Sequence, residues 1–517
     1  MKEKKGNTAT YTIILILTTA FAKALGFGRE MSLAYVYGAS PVSDAYIVAF
    51  SIPTIIFAGI GSAMLTSYIS SYARIRQENP KALKTFTDSV ITMVALISIA
   101  IMVVFWIFER PIVRLFAVGF DAETMEIAVS LSRVVILSLL FIGVYFILQG
   151  FLQIHGSYFA VGMVSAPLNI CVIASMFLSV TWGQEILGWG VVAGYFASFL
   201  MLLLASLRHH FSYRPSFQFR TPEIRRLLMV VFPIFLGKAI TELNTMIDRT
   251  IASVLPEGTV SALSYGNRVV GFVTAVFVIS VTTAVFPQMS HLSAIKNTRK
   301  LKATFRSSAG LMSLMVLPIS AGVIIFSEEI VAILFQRGAF TAYDTQRTAE
   351  VVSFYALGLI FFSIKEIALN MFYALQDTKT PTINSLAAIL INIVLNLLLL
   401  KSMAHKGLAL ATTISGGVTL VMLLISLRRR IGPLGLRRLF VSLLKMAAAT
   451  AGMCFAVVPL YDLLLEKLES MPAAFLLAAL AGALLYGVLN ILLRTREMGL
   501  LIVGLAERLT PRRARED

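Results

Sequence analysis

The side chains able to do chemistry in this chain are charges set inside apolar runs: Lys23, Arg29, Asp44, Arg133, Lys238, Glu242, Asp248, Arg249, Arg268, Lys365 and Glu366. A charge at the centre of a bilayer costs roughly 2.5–3.5 kcal/mol or more unless it faces water or a partner. Snorkelling to the headgroups accounts for Arg133, Lys365 and Glu366 as well as function does. Lys238 and Glu242 are four apart on one helical face, so a structural ion pair explains them equally. Lys23, Arg29 and Asp44 form a tighter group around Leu25-Gly26-Phe27-Gly28, where two glycines are expected to break or loosen a helix. No acid near Arg29 or Arg268 is assigned to neutralise it, so both are expected to meet a bound anion or cavity water. Arg and Lys grip phosphate oxygens through charge-assisted hydrogen bonds, and a diphosphate suits such a cavity.

Catalysis finds no comparable support. There is no P-loop, HExxH or GxSxG pattern, and the five histidines (His155, His209, His210, His291 and His405) are scattered over loops and span ends. Cys171 and Cys454 lie far apart in apolar runs and suggest neither a disulfide framework nor a metal cluster.

The elements that must position these charges are membrane helices. Of 517 residues, 58% are hydrophobic and only 14% charged, and the mean hydropathy of +0.84 is far above that of a soluble protein. Apolar windows predict an all-α, polytopic membrane protein with about fourteen spans, near residues 11–27, 45–69, 86–108, 127–151, 158–181, 186–207, 228–253, 262–290, 308–326, 351–374, 382–400, 407–427, 440–460 and 473–493. Lys2, Lys4 and Lys5 before an apolar run ending Ala20-Phe21-Ala22 also suit a cleavable leader. Keeping that segment as the first span gives the more consistent charge alternation. Arg74, Arg76, Lys81, Lys84, Arg225, Arg226, Lys300, Lys302, Arg428, Arg429 and Arg430 then fall in loops on one side, while Glu109, Asp121, Glu257, Glu328 and Glu329 fall on the other. This positive-inside bias puts both termini in the cytoplasm, and the net charge of +17 reflects topology rather than nucleic-acid binding.

An internal repeat organises the spans. Ile112-Val113-Arg114-Leu115-Phe116 leading to Gly119-Phe120 recurs as Ile330-Val331-Ala332-Ile333-Leu334-Phe335 leading to Gly338-Ala339-Phe340, about 220 residues later. Gly38 with Val42-Ser43 matches Gly258 with Val260-Ser261, and Leu152-Gln153 matches Leu375-Gln376, at nearly the same offset. Six spans per repeat give two lobes of like orientation, 1–215 and 216–430, with 431–517 adding helices 13 and 14 and a basic tail. The repeat relates the Arg29 region to Asp248, Arg249 and Arg268, so cations of both lobes are expected to converge on one central cavity.

Several motifs resemble the MurJ/MviN family of lipid II flippases. They are Leu25-Gly26-Phe27-Gly28-Arg29-Glu30, Ser43-Asp44-Ala45-Tyr46, Ile52-Pro53, Ala166-Pro167-Leu168-Asn169, Tyr265-Gly266-Asn267-Arg268, Leu334-Phe335-Gln336-Arg337-Gly338-Ala339-Phe340-Thr341 and Tyr373-Ala374-Leu375-Gln376-Asp377-Thr378-Lys379-Thr380-Pro381. The resemblance implies a two-lobed exporter fold of fourteen helices, the last two forming a groove for a polyprenyl tail. It carries the essential cavity cations onto Lys23, Arg29 and Arg268, with an acidic residue at Asp44. A further Arg that many members have after the Ile-Pro motif is missing here, where the chain reads Phe57-Ala58-Gly59. The resemblance also implies a sodium site at Asp248, Asn392, Asn396 and Thr412, with Na+ as coupling ion and no other cofactor.

The expectation is a monomeric inner-membrane transporter, not an enzyme, whose partners are lipid II and the surrounding lipid. Export of another polyprenyl-diphosphate glycan is the alternative. A membrane glycosyltransferase or polymerase needs a larger outside loop with catalytic acids, and a drug-cation antiporter needs an acidic cavity.

Overall fold

The computed structural model describes residues 8–509, with the side chains at 58, 59 and 236–241 among those left outside the description. The expected Lys238–Glu242 pair and the Ala58 position therefore lie outside the described residues, as does the end of the basic tail. Among the described residues the structure is helical throughout, with no strand. A chain of this hydropathy must satisfy its backbone within each segment, and a helix does so. Against the fourteen or so spans expected, nine helices among the described residues are long and apolar enough to cross a membrane, or ten with the bent pair 342–357 and 359–374 taken as one span, and the chain is a multi-pass membrane protein.

The chain forms two compact units, Met1–Ser261 with Arg337–Thr341, and Ala262–Gln336 with Ala342–Asp517. The first contains α1 (Thr8–Tyr37), α2 (Pro41–Glu78), α3 (Ala82–Ile107), α4 (Glu109–Phe116), α5 (Ala122–Val135), α6 (Leu139–Ile154), α7 (Tyr158–Gly162), α8 (Ala166–Trp182), α9 (Glu185–Leu207) and α10 (Pro222–Ala252). Its central element is α2, which packs against α5, α6 and α10. Ser40 starts α2 with a capping box, its Oγ accepting from the Ser43 N–H while the Ser40 N–H donates to Ser43 Oγ (2.8 Å), and Pro41 follows at the first turn. Such a cap contributes about 1 kcal/mol. Further along, Tyr68 is fully buried, its ring stacked on Phe86 and its hydroxyl 3.0 Å from that of Thr87.

The second unit carries α11 (Thr259–Val273) from its fourth residue, then α12 (Ile279–Ala294), α13 (Thr298–Ile325), α14 (Ser327–Phe335), α15 (Ala342–Leu357), α16 (Leu359–Ala374), α17 (Lys379–Ile431), α18 (Arg437–Leu468), α19 (Met471–Leu492) and α20 (Arg496–Leu509). The repeat is visible in its element order: α15 begins 220 residues after α5 (342 and 122), and α16 begins 220 after α6 (359 and 139). The α18–α19 hairpin packs on α13 through Leu314, Met446, Ala449, Met453, Ala474 and Ala478. Small alanines at such a seam let helix backbones approach, as membrane helices require in place of a hydrophobic drive.

At 53 residues, α17 would reach about 80 Å if straight, more than twice the thickness of the hydrocarbon. It is folded at Ala404 (φ 47°, ψ −127°) into two arms that match the two spans expected at 382–400 and 407–427. Asn384 Nδ2 donates to Ser426 Oγ across the arms (3.3 Å), and Asp377 pairs with Arg430 where their ends meet. Asp377 also accepts from the Thr380 N–H (3.0 Å) and hydroxyl (2.8 Å). Burial alone would push this carboxyl up, but the Thr380 hydrogen bonds and the Arg430 charge outweigh it and hold it below the usual carboxylate range. A depressed folded-state pKa means that this stabilisation is complete above the ordinary carboxylate pKa and fades as pH falls through the lower folded value. Asp377→Asn is expected to lower the melting temperature of the detergent-solubilised protein at pH 7, and the difference from wild type should shrink on acidification below pH ~4. An unchanged melting temperature at pH 7 would remove this staple from the account of α17.

Candidate functional site

The first helix is not interrupted at its glycines. α1 runs unbroken from Thr8 to Tyr37, contrary to the expectation from Leu25-Gly26-Phe27-Gly28. Gly26 faces Asn169, where a Cβ would sit in ordinary van der Waals contact 3.5 Å from Nδ2, and that amide donates to the Ala22 carbonyl (3.3 Å). This contact seats α8 against α1 through the Ala166-Pro167-Leu168-Asn169 motif.

Arg29 is 8% exposed. Its Nη2 is 2.7 Å from Glu30 Oε1, and its guanidinium lies 4.5 Å above the centre of the Phe50 ring. The expectation that no neighbouring acid neutralises Arg29 is thus corrected: Glu30, the next residue, does so. Adjacent helix residues do not normally face one another, so the sequence spacing concealed the pair. Tyr46 and Tyr195 lie beside Arg29, and the Tyr46 ring stacks near Phe50 at 6.0 Å. The Tyr46 hydroxyl is buried with no hydrogen-bond partner among the described residues. An arginine offers five N–H donors. Only one of Arg29's reaches Glu30, so the rest remain available beside an aromatic wall.

Arg249 enters the same neighbourhood from α10, donating to Ser51 Oγ on α2 next to Phe50. Ser51 and Thr54 bond back to carbonyls of their own helix around Pro53, so hydroxyls line the stretch where proline removes a backbone donor. Asp248 accepts from Asn244 Nδ2 (3.4 Å) one turn earlier. Lys23 is exposed. Six residues separate it from Arg29, about 9 Å of rise and roughly 240° around the axis, so the two do not share a face.

Asp44, only 2% exposed, has a distinct role. Its carboxylate accepts from the Gly258 N–H (2.8 Å) and the Ser261 N–H (2.7 Å), satisfying donors at the start of α11 and placing negative charge at a helix N-terminus. Gly258 has φ +79°, and a side chain there would run into the Ala39 carbonyl. A second backbone contact forms where the Ala339 N–H donates to the Tyr35 carbonyl (2.8 Å); beside it Gly338, at φ +62°, excludes any side chain from the same oxygen. The Gly119 N–H donates to Ser253 Oγ (3.0 Å) at the end of α10. The two repeated loops, after α4 and after α14, therefore each dock by backbone on a helix end. Sequence reading found them as a repeat and gave them no task; their glycines were the available signal.

In the second unit Arg268 is exposed on α11, three residues after Tyr265, which is fully buried 5.3 Å from the Phe335 ring. Asn396 Nδ2 donates to Asn392 Oδ1 (3.0 Å), both buried on the first arm of α17, whereas Thr412 on the second arm bonds its own helix at the Leu408 carbonyl (3.1 Å). No cluster of three His, Cys, Asp or Glu suited to a metal occurs among the described residues. Arg133 is exposed and pairs with Glu109 (Nε to Oε2 2.8 Å), while Lys365 lies 5.4 Å over the Phe362 ring.

Because both Asp44 oxygens hold backbone donors, Asp44→Ala is expected to destabilise the protein by about 1.5–3 kcal/mol, read as a drop in melting temperature in detergent. Gly258→Ala should do the same through the Ala39 clash. If both variants melt with wild type, Asp44 is not the anchor of α11.

Residues 33–477 match the model of the family described as lipid II flippase MurJ. A relative named "Probable lipid II flippase MurJ" from Rickettsia prowazekii (strain Madrid E) is 30% identical over 418 residues, covering 80% of this chain and 82% of its own length. Another of that name, from Bdellovibrio bacteriovorus, is 24% identical over 508 residues, covering 95% and 96%. Among solved structures, one titled "Lipid II flippase MurJ, inward closed conformation" superposes with a TM-score of 0.79 at 26% identity, covering 93% of this chain and 99% of that one. An inward-facing multidrug resistance MATE transporter of the MOP superfamily gives 0.66 at 14% identity, covering 82% and 98%, a likeness of fold alone. By the extent of the family match and the agreement of these relatives, the chain belongs to the lipid II flippase MurJ family.

Proposed function

We propose that this chain carries lipid II, the undecaprenyl-diphosphate-linked peptidoglycan precursor, from the cytoplasmic to the outer leaflet by alternating access. The family match over residues 33–477 carries the reading. The Arg29 cluster supports it chemically. Glu30 offsets part of the cost of holding a guanidinium in the membrane, and the unengaged donors suit diphosphate oxygens in a bidentate grip. Phe50 confines the planar group. Arg268 and Lys23 are proposed as further cations for the headgroup, with Asp44 holding the start of α11. Transport makes and breaks no bonds in the substrate, so no catalytic group is assigned.

The working unit is one chain, since both repeats lie within it. The exposed face of the α18–α19 hairpin, with Phe455 87% and Leu484 74% exposed, suits a polyprenyl tail left in lipid. Sodium coupling remains part of the proposal, with Asp248, Asn392, Asn396 and Thr412 as its oxygen donors; the buried Asn392–Asn396 pair supports it.

The test is growth rescue after removal of a cell's sole lipid II flippase. Arg29→Ala and Arg268→Ala should each abolish rescue at normal protein level, since losing a charge-assisted contact weakens binding by about 1.5–3 kcal/mol, roughly ten- to hundredfold. Arg→Lys at either position should restore growth only in part. Arg133→Ala should be tolerated, because its pair with Glu109 is exposed. Full rescue by both alanine variants would refute the anion-gripping mechanism.

Orientation follows from the loop charges: both termini cytoplasmic, with Glu328 and Glu329 at the start of α14 outside. An impermeant maleimide added to intact cells should modify a cysteine at 328 and spare one at 300. The opposite pattern would invert the topology.

A further inference from the structure

A cavity of about 420 Å³ opens among α13, α18 and α20. Its walls carry six cations, Arg306, Arg437, Arg438, Lys445, Arg494 and Arg496, against one acid, Glu497. Arg437 and Arg438 open α18, whose first turn holds no acid and whose N-cap, Leu436, gives no side-chain hydrogen bond. Cations at a helix N-terminus oppose the macrodipole, so helix stability alone argues against this placement. Among the described residues no carboxylate pairs with Arg437, Arg438, Arg494 or Arg496. Arg306 Nη1 donates to the Leu434 carbonyl (2.7 Å) and Lys445 Nζ to the Leu493 carbonyl (3.0 Å), which fixes the rim and leaves further donors on each.

Glu497 does not neutralise this wall. It is 5% exposed and so close to Gly310 that a Cβ there would meet Oε1 at 2.6 Å. Its Oε2 is buried with no hydrogen-bond partner among the described residues. An occupant that suits the whole cavity is an anion for the arginines that also brings a hydroxyl donor for Glu497. Membrane position narrows the source. Met498 and Leu501 anchor α20 in the core with Met446 and Tyr486, while Leu500 at the cavity and Ile502 stay 43% and 44% exposed, an arrangement of apolar and basic residues typical of the headgroup boundary. Basic pockets between membrane helices at this level take anionic lipid headgroups.

We propose that this cavity binds the headgroup of an anionic membrane phospholipid bearing hydroxyls, of the phosphatidylglycerol kind. The phosphate sits among the Arg437, Arg438, Arg494 and Arg496 guanidinium groups, and the Glu497 carboxylate, which lines the same cavity, accepts from a headgroup hydroxyl.

The test uses the full chain purified in a neutral detergent and its melting temperature against added dioctanoyl phosphatidylglycerol or dioctanoyl phosphatidylcholine. The phosphatidylglycerol should raise the melting temperature and the phosphatidylcholine should not. Arg437→Gln combined with Arg496→Gln should move the half-effective concentration up at least tenfold, while Arg429→Gln, away from the cavity, should leave it in place. Should the double variant fail to purify, Arg494→Gln allows the same comparison. Equal stabilisation by both lipids, or an unmoved dose response in the cavity variants, would overturn the assignment. Displacement of phosphatidylglycerol by polyprenyl diphosphate at equal or lower concentration would assign the cavity to the transported substrate instead and would also overturn it.

Discussion

A buried charge in a membrane protein must be met by something, and this requirement accounts for several of the specific contacts among the described residues. Arg29 is met by Glu30 and a ring face, Arg249 by Ser51, Asp44 by two backbone N–H groups, and Asp377 by Arg430 and Thr380. The means differ and so do their consequences. Asp44 and Asp377 have their oxygens occupied by the fold, which makes them anchors. Arg29 is neutralised at one edge with most of its donors unengaged among the described residues, and so keeps capacity for a ligand anion. A buried ion pair contributes little net stability in itself, so its retention here agrees with a role in recognition rather than in folding.

The repeat explains how such charges are positioned. Each half supplies a short helix, α4 or α14, followed by a loop that ends on a helix terminus through backbone atoms. Where the halves differ, function has room: Asp44 corresponds in the repeat to Ala262, so the carboxylate that accepts from Gly258 and Ser261 has no counterpart there.

Much of this was legible in the sequence. Hydropathy and length found the membrane helices because lipid leaves few alternatives to them, and the positions of both α17 arms followed from two apolar windows with a polar break. The burial of Arg29 was readable from its apolar surroundings. Its partner was not, because side-chain direction between adjacent residues depends on rotamer and packing, which no periodicity reports. The glycines of α1 misled because glycine permits a bend without requiring one, and the helix runs through both. Asp44 was grouped with the cations by nearness in sequence, whereas its bonding partners lie more than two hundred residues away.

The contact at Tyr35 has an evolutionary corollary. The Ala339 amide and the Tyr35 carbonyl meet as main chain, and Gly338 contributes by having nothing beyond its Cα. Such a joint is blind to the identity of its partner's side chain. Drift at position 35 keeps both atoms of this hydrogen bond, whereas almost any side chain at 338 obstructs it. Selection at this seam therefore acts on vacant volume rather than on chemical character, so distant homologues can preserve the joint while sharing few side chains around it.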